Sequence, residues 1–184
     1  AQASGRWSIT EPPLQQFPSY LQGLLIPDDG EVWIGWDWDQ IELRLLAALA
    51  KDEPYLCAFR ANHDVHTANA CDIFGLARPP DLVDPHGAVI AQGWRDGVGW
   101  AGKEDIRRTF AKRFVYRLNY GGDPRMAGDI PGAKQLGLTG PKLVEASRRY
   151  LAAHPAMAAW RTQTAVVAQS THVSRTFMGR RRRL

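Results

Sequence analysis

An α+β fold, mostly helical, is predicted by three features of the sequence. Val32 to Asp37 alternates as a strand does, helix-forming segments dominate the rest of the chain, and the two meet without a spacer at the charged run "DWDQIELR". In the predicted strand, Val32, Ile34 and Trp36 face one way and Trp33, Gly35 and Asp37 the other. A helix comes next, over Ile41 to about Ala50. Its apolar residues are too dense for a free surface helix, so it is expected to be mostly buried, and Pro54 limits its length. His66 to Phe74 forms the next helix, ended by Gly75. Residues 76–103 are rich in Pro and Gly and read as a long connection with room for a small excursion of its own. Helix returns at Glu104, runs to about Asn119 and ends at "YGGD". Pro141 to about Gln169 supplies one or two helices divided near "HPAM", and "THVSRTFMG" suggests a short strand pair or turn. No internal repeat is present.

A chain of 184 residues, 45% hydrophobic, can bury one sizeable core and a small second lobe. No window reaches the apolar length that spans a bilayer, so a soluble protein with no membrane partner is expected. The opening "AQASGRWS" lacks a charged head followed by an apolar block, which gives no sign of secretion. Cys57 and Cys71 have neither a CxxC spacing nor a histidine at metal-ligand spacing, and plain buried thiols in a reducing cytoplasm are expected. The net charge of +4 is small, but basic residues cluster at "IRRTFAKRFVYR" and "GRRRRL", as a phosphate-binding surface requires. The chain opens in a loop-like stretch and stops on "MGRRRRL", which reads as a piece of something longer.

Chemistry concentrates in two places. Asp37, at the carboxyl end of the predicted strand, can hold a hard divalent cation through oxygen, magnesium being the natural guest. Alternatively, Asp37 or Asp39 caps the helix that begins at Gln40. In the second place, Arg108, Lys112, Tyr116 and Tyr120 recur at intervals of four and form a slowly drifting helical stripe. From Arg108 to Tyr120 the stripe spans roughly 18 Å, the length of an extended nucleoside triphosphate. Such a helix could grip phosphates at one end and stack a base at the other; an ordinary amphipathic helix with snorkelling cations accounts for the same pattern.

These segments resemble, in order, those of the family A DNA polymerases. "DWDQIELRLLA" is similar to the first palm motif, DYSQIELR, and "RRTFAKRFVYRLNYGG" to the fingers helix, Arg-xxx-Lys-xxx-Phe/Tyr-xxx-Tyr-Gly. "HDVHTANACDIFG" resembles the segment DIHTATA, "SGRWSITEPPLQQFP" resembles TGRLSSxxPNLQNIP, and "RTFMGRRRRL" resembles TLxGRRRYL. The resemblance implies a partial polymerase palm with fingers helices. Residues 1–50 would be the palm portion, 51–140 the fingers with the nucleotide-binding helix 104–120, and 141–184 helices returning to the palm.

It further implies a DNA-directed DNA polymerase that adds deoxynucleotides to a primer end by two-magnesium nucleotidyl transfer. Asp37, with the carbonyl of Trp38, would hold the metal. Glu42 would be the steric gate against a ribose hydroxyl. Gln40, His66, Arg108, Lys112 and Tyr116 would contact the incoming nucleotide, and Tyr120 the template-side stack. Arg6, Arg44, Arg180, Arg181 and Arg182 would support primer and template, Arg44 also ordering the acids. The partners implied are primer-template DNA and deoxynucleoside triphosphates.

Several positions depart from the family pattern. Asp39 stands for serine, Trp38 for tyrosine, Arg117 for glycine and Asn119 for an aliphatic residue, and a charge at Arg117 is expected either to reach DNA or to distort packing. The connection 76–103 is longer than the family's. The second metal carboxylate, carried in the family by a His-Asp-Glu hairpin after GRRR, does not occur in these residues; His63-Asp64 belongs to the segment matching DIHTATA and no Glu follows it. A second polypeptide or a missing segment with that motif and the thumb is therefore expected. A non-catalytic remnant that binds nucleotide or DNA is the alternative function.

Overall fold

A computed structural model of the chain describes residues 11, 18–35, 37–78, 80, 82–83, 85–91, 105–176 and 179–183. Two compact units divide the chain, residues 1–39 and residues 40–184. Among the described residues no helix is long and apolar enough to cross a membrane.

The first unit contains a 3-10 turn, Ser19–Leu24, and a tight turn in which Glu31 N–H donates to the Asp28 carbonyl at 2.9 Å. The strand expected over Val32–Asp37 does not form. Val32–Gly35, Asp37 and Trp38 lie outside regular structure, and Val32, Trp33 and Ile34 are 77%, 65% and 81% exposed; Trp36 lies outside the described residues. Alternation selects a buried face only where a neighbouring strand pairs the backbone and a layer covers one side. Among the described residues the only ladders lie elsewhere in the chain.

The second unit is helical: α1 Ile41–Ala50, α2 Glu53–Arg60, α3 Val65–Phe74, α4 Ile106–Asn119, α5 Gly140–Ala153 and α6 Pro155–Thr171, with a 3-10 segment at Pro124–Asp129. Among the described residues two antiparallel hairpins accompany the helices, β1 Leu82–Val83 with β2 Val89–Ala91 and β3 Val173–Arg175 with β4 Arg181–Arg183. The first hairpin is the excursion expected within residues 76–103; residues 92–104 lie outside the described residues.

Aspartates set the helix starts. Asp52 accepts from Tyr55 N–H, Asp64 from His66 N–H and Asp105 from Arg107 N–H, at 3.2, 3.2 and 2.8 Å, each satisfying a donor the helix leaves open. Helix α2 was not expected, because Pro54 reads as a breaker. It sits instead in the first turn, where a missing N–H costs nothing. Lys51, at φ 54, ends α1 in the left-handed conformation, and Asp52 N–H donates back to Ala47 at 2.9 Å, which turns the chain sharply into α2.

The core is packed by Leu43, Tyr55, Val65, Phe110, Phe114, Val115, Leu143, Tyr150 and Met157, all essentially inaccessible, each such side chain worth about 1.5–3 kcal/mol of burial. Phe110 stacks on Phe114 with centroids 5.2 Å apart and meets Phe74 of α3 at 6.0 Å, fastening α3 to α4. Helix α1 is less buried than expected. It rests on α2 and α6 through Leu43 and Ala47, while Ile41, Leu45 and Leu49 stay exposed, since one face of a helix is all that two neighbours cover. Of the two thiols, Cys71 is buried and its pKa is pushed up to about 11 by burial, but Cys57 is exposed on α2, so only one of them is the inert thiol expected.

A buried polar cluster crosses this core. His154, at the break between α5 and α6, places Nδ1 2.8 Å from Asp52 Oδ1, and Asp52 Oδ2 accepts from Met157 N–H at 3.3 Å. The His154 ring stacks on Tyr55 at 3.8 Å. The Tyr55 hydroxyl donates to Asn69 Oδ1 at 2.8 Å and lies 3.1 Å from the Tyr150 hydroxyl, which donates to Asn119 Oδ1 at 3.4 Å. Burial pushes the Asp52 carboxyl up, but the His154 bond and charge and the two backbone donors outweigh it and hold it below its ordinary range.

Candidate functional site

Helix α4 carries the predicted stripe and aims it in a graded way. Arg108, in the first turn, is largely buried by an ion pair: Nε to Asp64 Oδ2 at 2.5 Å and Nη2 to Oδ1 at 3.1 Å. Lys112, one turn on, is exposed; Tyr116 is half-buried, its ring 6.1 Å from that of His66 and tilted by 49°. Tyr120 caps the helix through its N–H to the Tyr116 carbonyl at 3.0 Å and is 71% exposed. His66 itself is buried in the first turn of α3.

A cleft of about 190 Å³ opens beside the stripe, lined by Glu42, Leu43 and Leu46 of α1, Tyr116 and Asn119 of α4, Tyr120, and Trp160 of α6. It gathers Glu42, Tyr116 and Tyr120 around one space. Two apolar residues, three aromatic rings, one amide and one half-buried carboxylate line it, a wall suited to a flat ring with polar groups at its edge. Gln40 precedes α1 as its N-cap residue, half-buried and left-handed at φ 52, so neither Asp37 nor Asp39 holds the N-cap position. Arg44 lies 4.5 Å over the Phe59 ring, a cation–π contact that joins α1 to α2.

Asp37 and Trp38 belong to the first unit, and both are exposed. The Asp37 carboxylate and the Trp38 carbonyl are hard oxygen donors of the kind magnesium takes. Among the described residues no group of three or more His, Cys, Asp or Glu side chains is placed to hold a metal ion. Arg180 and Arg181 are exposed at the β3–β4 hairpin; Arg182 pairs its backbone with Ser174, and its side chain lies outside the described residues, as does Arg6. Between that hairpin and α6 runs a groove of about 600 Å³ lined by Trp160, Thr164, Thr171, Arg175 and Arg181 among others.

Two departures from the motif are accommodated. Arg117 extends to Asp129 with Nη1 to Oδ1 at 2.6 Å, so its charge is met by the 3-10 segment rather than distorting the helix. Asn119 accepts from Tyr150 and links the cleft wall to the buried polar cluster. Asp64, Asn119 and Trp160 were not among the candidate residues. For Asp64 a signal existed, an aspartate just ahead of a helical run, but it indicates a cap and not a partner for Arg108.

The model of DNA polymerase family A matches residues 1–184. DNA polymerase I of Pseudomonas aeruginosa is 31% identical over 97% of this chain and 17% of its own length. The thermostable DNA polymerase I of Thermus thermophilus is 27% identical over 99% of this chain and 19% of its own. Among solved structures, the POL domain of Pol1 from M. smegmatis, in complex with DNA primer-template and dNTP, superposes with a TM-score of 0.68 and 26% identity. That match covers 100% of this chain and 29% of the other. The chain thus spans less than a third of each. The family model's match along the whole chain places this chain in DNA polymerase family A.

Proposed function

We propose that the chain is the nucleotide- and template-handling part of a DNA-directed DNA polymerase, its residues 1–50 belonging to the palm, 51–140 to the fingers and 141–184 to helices returning to the palm. The observation that carries this is the cleft walled jointly by Glu42, Tyr116 and Tyr120, with Lys112 and Arg108 one and two turns nearer the start of α4 than Tyr116. Arg108 and Lys112 bind the triphosphate by charge, His66 assists from α3, and Tyr116 lies along base and sugar. Gln40 adds a polar contact near Glu42, whose carboxylate occupies the space a ribose hydroxyl would need. Tyr120, exposed at the helix end, stacks on the template side. Arg44, Arg6 and the arginines Arg180 to Arg182 hold the primer and template backbones, a contribution that weakens with salt.

Asp37 and the Trp38 carbonyl would hold magnesium, which when bound lowers the cost of the charge that develops in phosphoryl transfer. The second carboxylate of a two-metal site is not among these residues, so catalysis is proposed for this chain together with a segment that supplies it, in continuous or separate form.

The test is nucleotide binding followed by primer extension. Residues 1–184 should bind a deoxynucleoside triphosphate, and adding the segment with the second carboxylate should produce templated extension that Asp37→Asn abolishes. Extension that survives Asp37→Asn within about tenfold, about 1.4 kcal/mol of barrier, refutes the metal assignment.

A further inference from the structure

We propose that Asp64 is a positioning residue of the nucleotide site, holding Arg108 and the first turn of α3, with His66, in the geometry that receives a triphosphate. The proposal rests on the nucleotide-site assignment above and deepens it. Asp64 shares its two oxygens among four donors. Oδ1 accepts from His66 N–H at 3.2 Å and Arg108 Nη2 at 3.1 Å; Oδ2 accepts from Thr67 Oγ1 at 2.7 Å and Arg108 Nε at 2.5 Å. Both partners of the ion pair are largely buried, at 13% and 10% side-chain exposure. Burial alone would raise the Asp64 carboxyl, but the Arg108 and Thr67 bonds and the Arg108 charge hold it low, so it is ionised wherever the protein is folded near neutrality.

A guanidinium offers five N–H groups in a rigid fork. Asp64 takes one from Nε and one from Nη2 along one edge, which among the described residues leaves three, the two of Nη1 and the second of Nη2, for a ligand. The carboxylate is itself fixed as the N-cap of α3. A long arginine side chain is thereby ordered before any phosphate arrives, and the rotamer freedom it would lose on binding is already lost in the free protein. The same oxygen that accepts from Arg108 Nη2 accepts from the backbone of His66, whose ring faces Tyr116. One carboxylate therefore ties the Arg108 guanidinium to the backbone that carries His66, across 44 residues of sequence. A cap that served α3 alone would need neither the bidentate geometry nor the second helix.

The test measures binding of magnesium–dATP and of dAMP to residues 1–184 by calorimetry, in the wild type, Asp64→Asn, Arg108→Ala, Arg108→Lys and the Asp64→Asn/Arg108→Ala double variant. Asparagine caps a helix as well as aspartate but cannot take the guanidinium on two ionised oxygens. Expected are an affinity for dATP about tenfold weaker in Asp64→Asn, dAMP binding within about twofold of wild type, and no additional loss from Asp64→Asn once Arg108 is alanine. Arg108→Lys should lose as much as Asp64→Asn, because a lysine keeps the charge and lacks the fork; this arm stands even if Asp64→Asn fails to fold. Wild-type dATP affinity in Asp64→Asn or Arg108→Lys, an equal loss for dAMP, or a full additional loss in the double variant overturns the positioning role. A wild-type chain that binds no dATP overturns the nucleotide-site assignment together with it.

Discussion

His154 Nδ1 lies 2.8 Å from Asp52 Oδ1, joining two buried residues 102 positions apart and closing the corner between α1 and α2 onto the break between α5 and α6. The pair makes a prediction about stability. Asp52→Ala leaves His154 and the N–H groups of Tyr55 and Met157 without their acceptor, and should cost about 3 kcal/mol, read as a lower urea midpoint at unchanged slope.

The same carboxylate predicts a pH dependence. Its folded pKa lies below the ordinary 3.8, so its contribution is complete above the unfolded value and is lost as pH falls through the folded one. Asp64 and Asp105 act in the same sense. Asp72, raised by burial, acts oppositely as its stabilisation is lost on raising pH through its folded value. The Arg125 guanidinium holds the Asp123 carboxyl low as well, so among the described residues four carboxyls against one predict a melting temperature that drops below about pH 4, with a shallower drop in Asp52→Asn.

Gly122 should resist substitution. A Cβ there would sit 2.6 Å from Arg117 Cγ and 2.9 Å from the Arg117 carbonyl, which accepts from Gly122 N–H at 2.9 Å. Gly122→Ala should destabilise by about 1–3 kcal/mol. Gly128, with nothing within 4 Å of a Cβ, is the control, expected within about 0.5 kcal/mol of wild type by the same denaturation measurement.

Tyr120→Ala separates binding from folding. The residue is 71% exposed, so stability should change by less than about 0.5 kcal/mol. Under the proposed function, affinity for a primer-template with a single-stranded overhang should fall by about 1–3 kcal/mol, the loss of one base–aromatic stack. Fluorescence anisotropy against a blunt duplex checks it: an equal loss on both ligands contradicts template stacking.

Glu42→Ala tests the sugar gate. Removing a carboxylate from a cleft of about 190 Å³ makes room beside the sugar, and binding of ATP relative to dATP should rise roughly tenfold. An unchanged ratio places the sugar elsewhere.

What the sequence by itself determined is local. The spans Ile41–Ala50, His66–Phe74 and Pro141–Gln169 with its break near "HPAM", the end of α4 at "YGGD" and the last strand pair all match the structure within a few residues. Each is set by neighbours three or four positions away: apolar period, Gly75 in the left-handed conformation, His154 where one helix stops and the next begins. Motif spacing likewise sufficed to put Arg108, Lys112 and Tyr116 on one helix and to identify the family, because order along the chain is what a motif records.

Only the tertiary structure decided the rest. Whether the alternation at Val32–Ile34 becomes a strand depends on a partner strand, and whether Ile41, Leu45 and Leu49 are buried depends on what covers α1. That Asp64 meets Arg108, that Asp52 meets His154, and that Glu42 shares a cleft with Tyr116 and Trp160 depend on helices closing loops of tens of residues onto a common core. Periodicity states which face of a helix is apolar but not which helix it will face. That pairing is selected by packing shape and by the requirement that each buried charge find a partner.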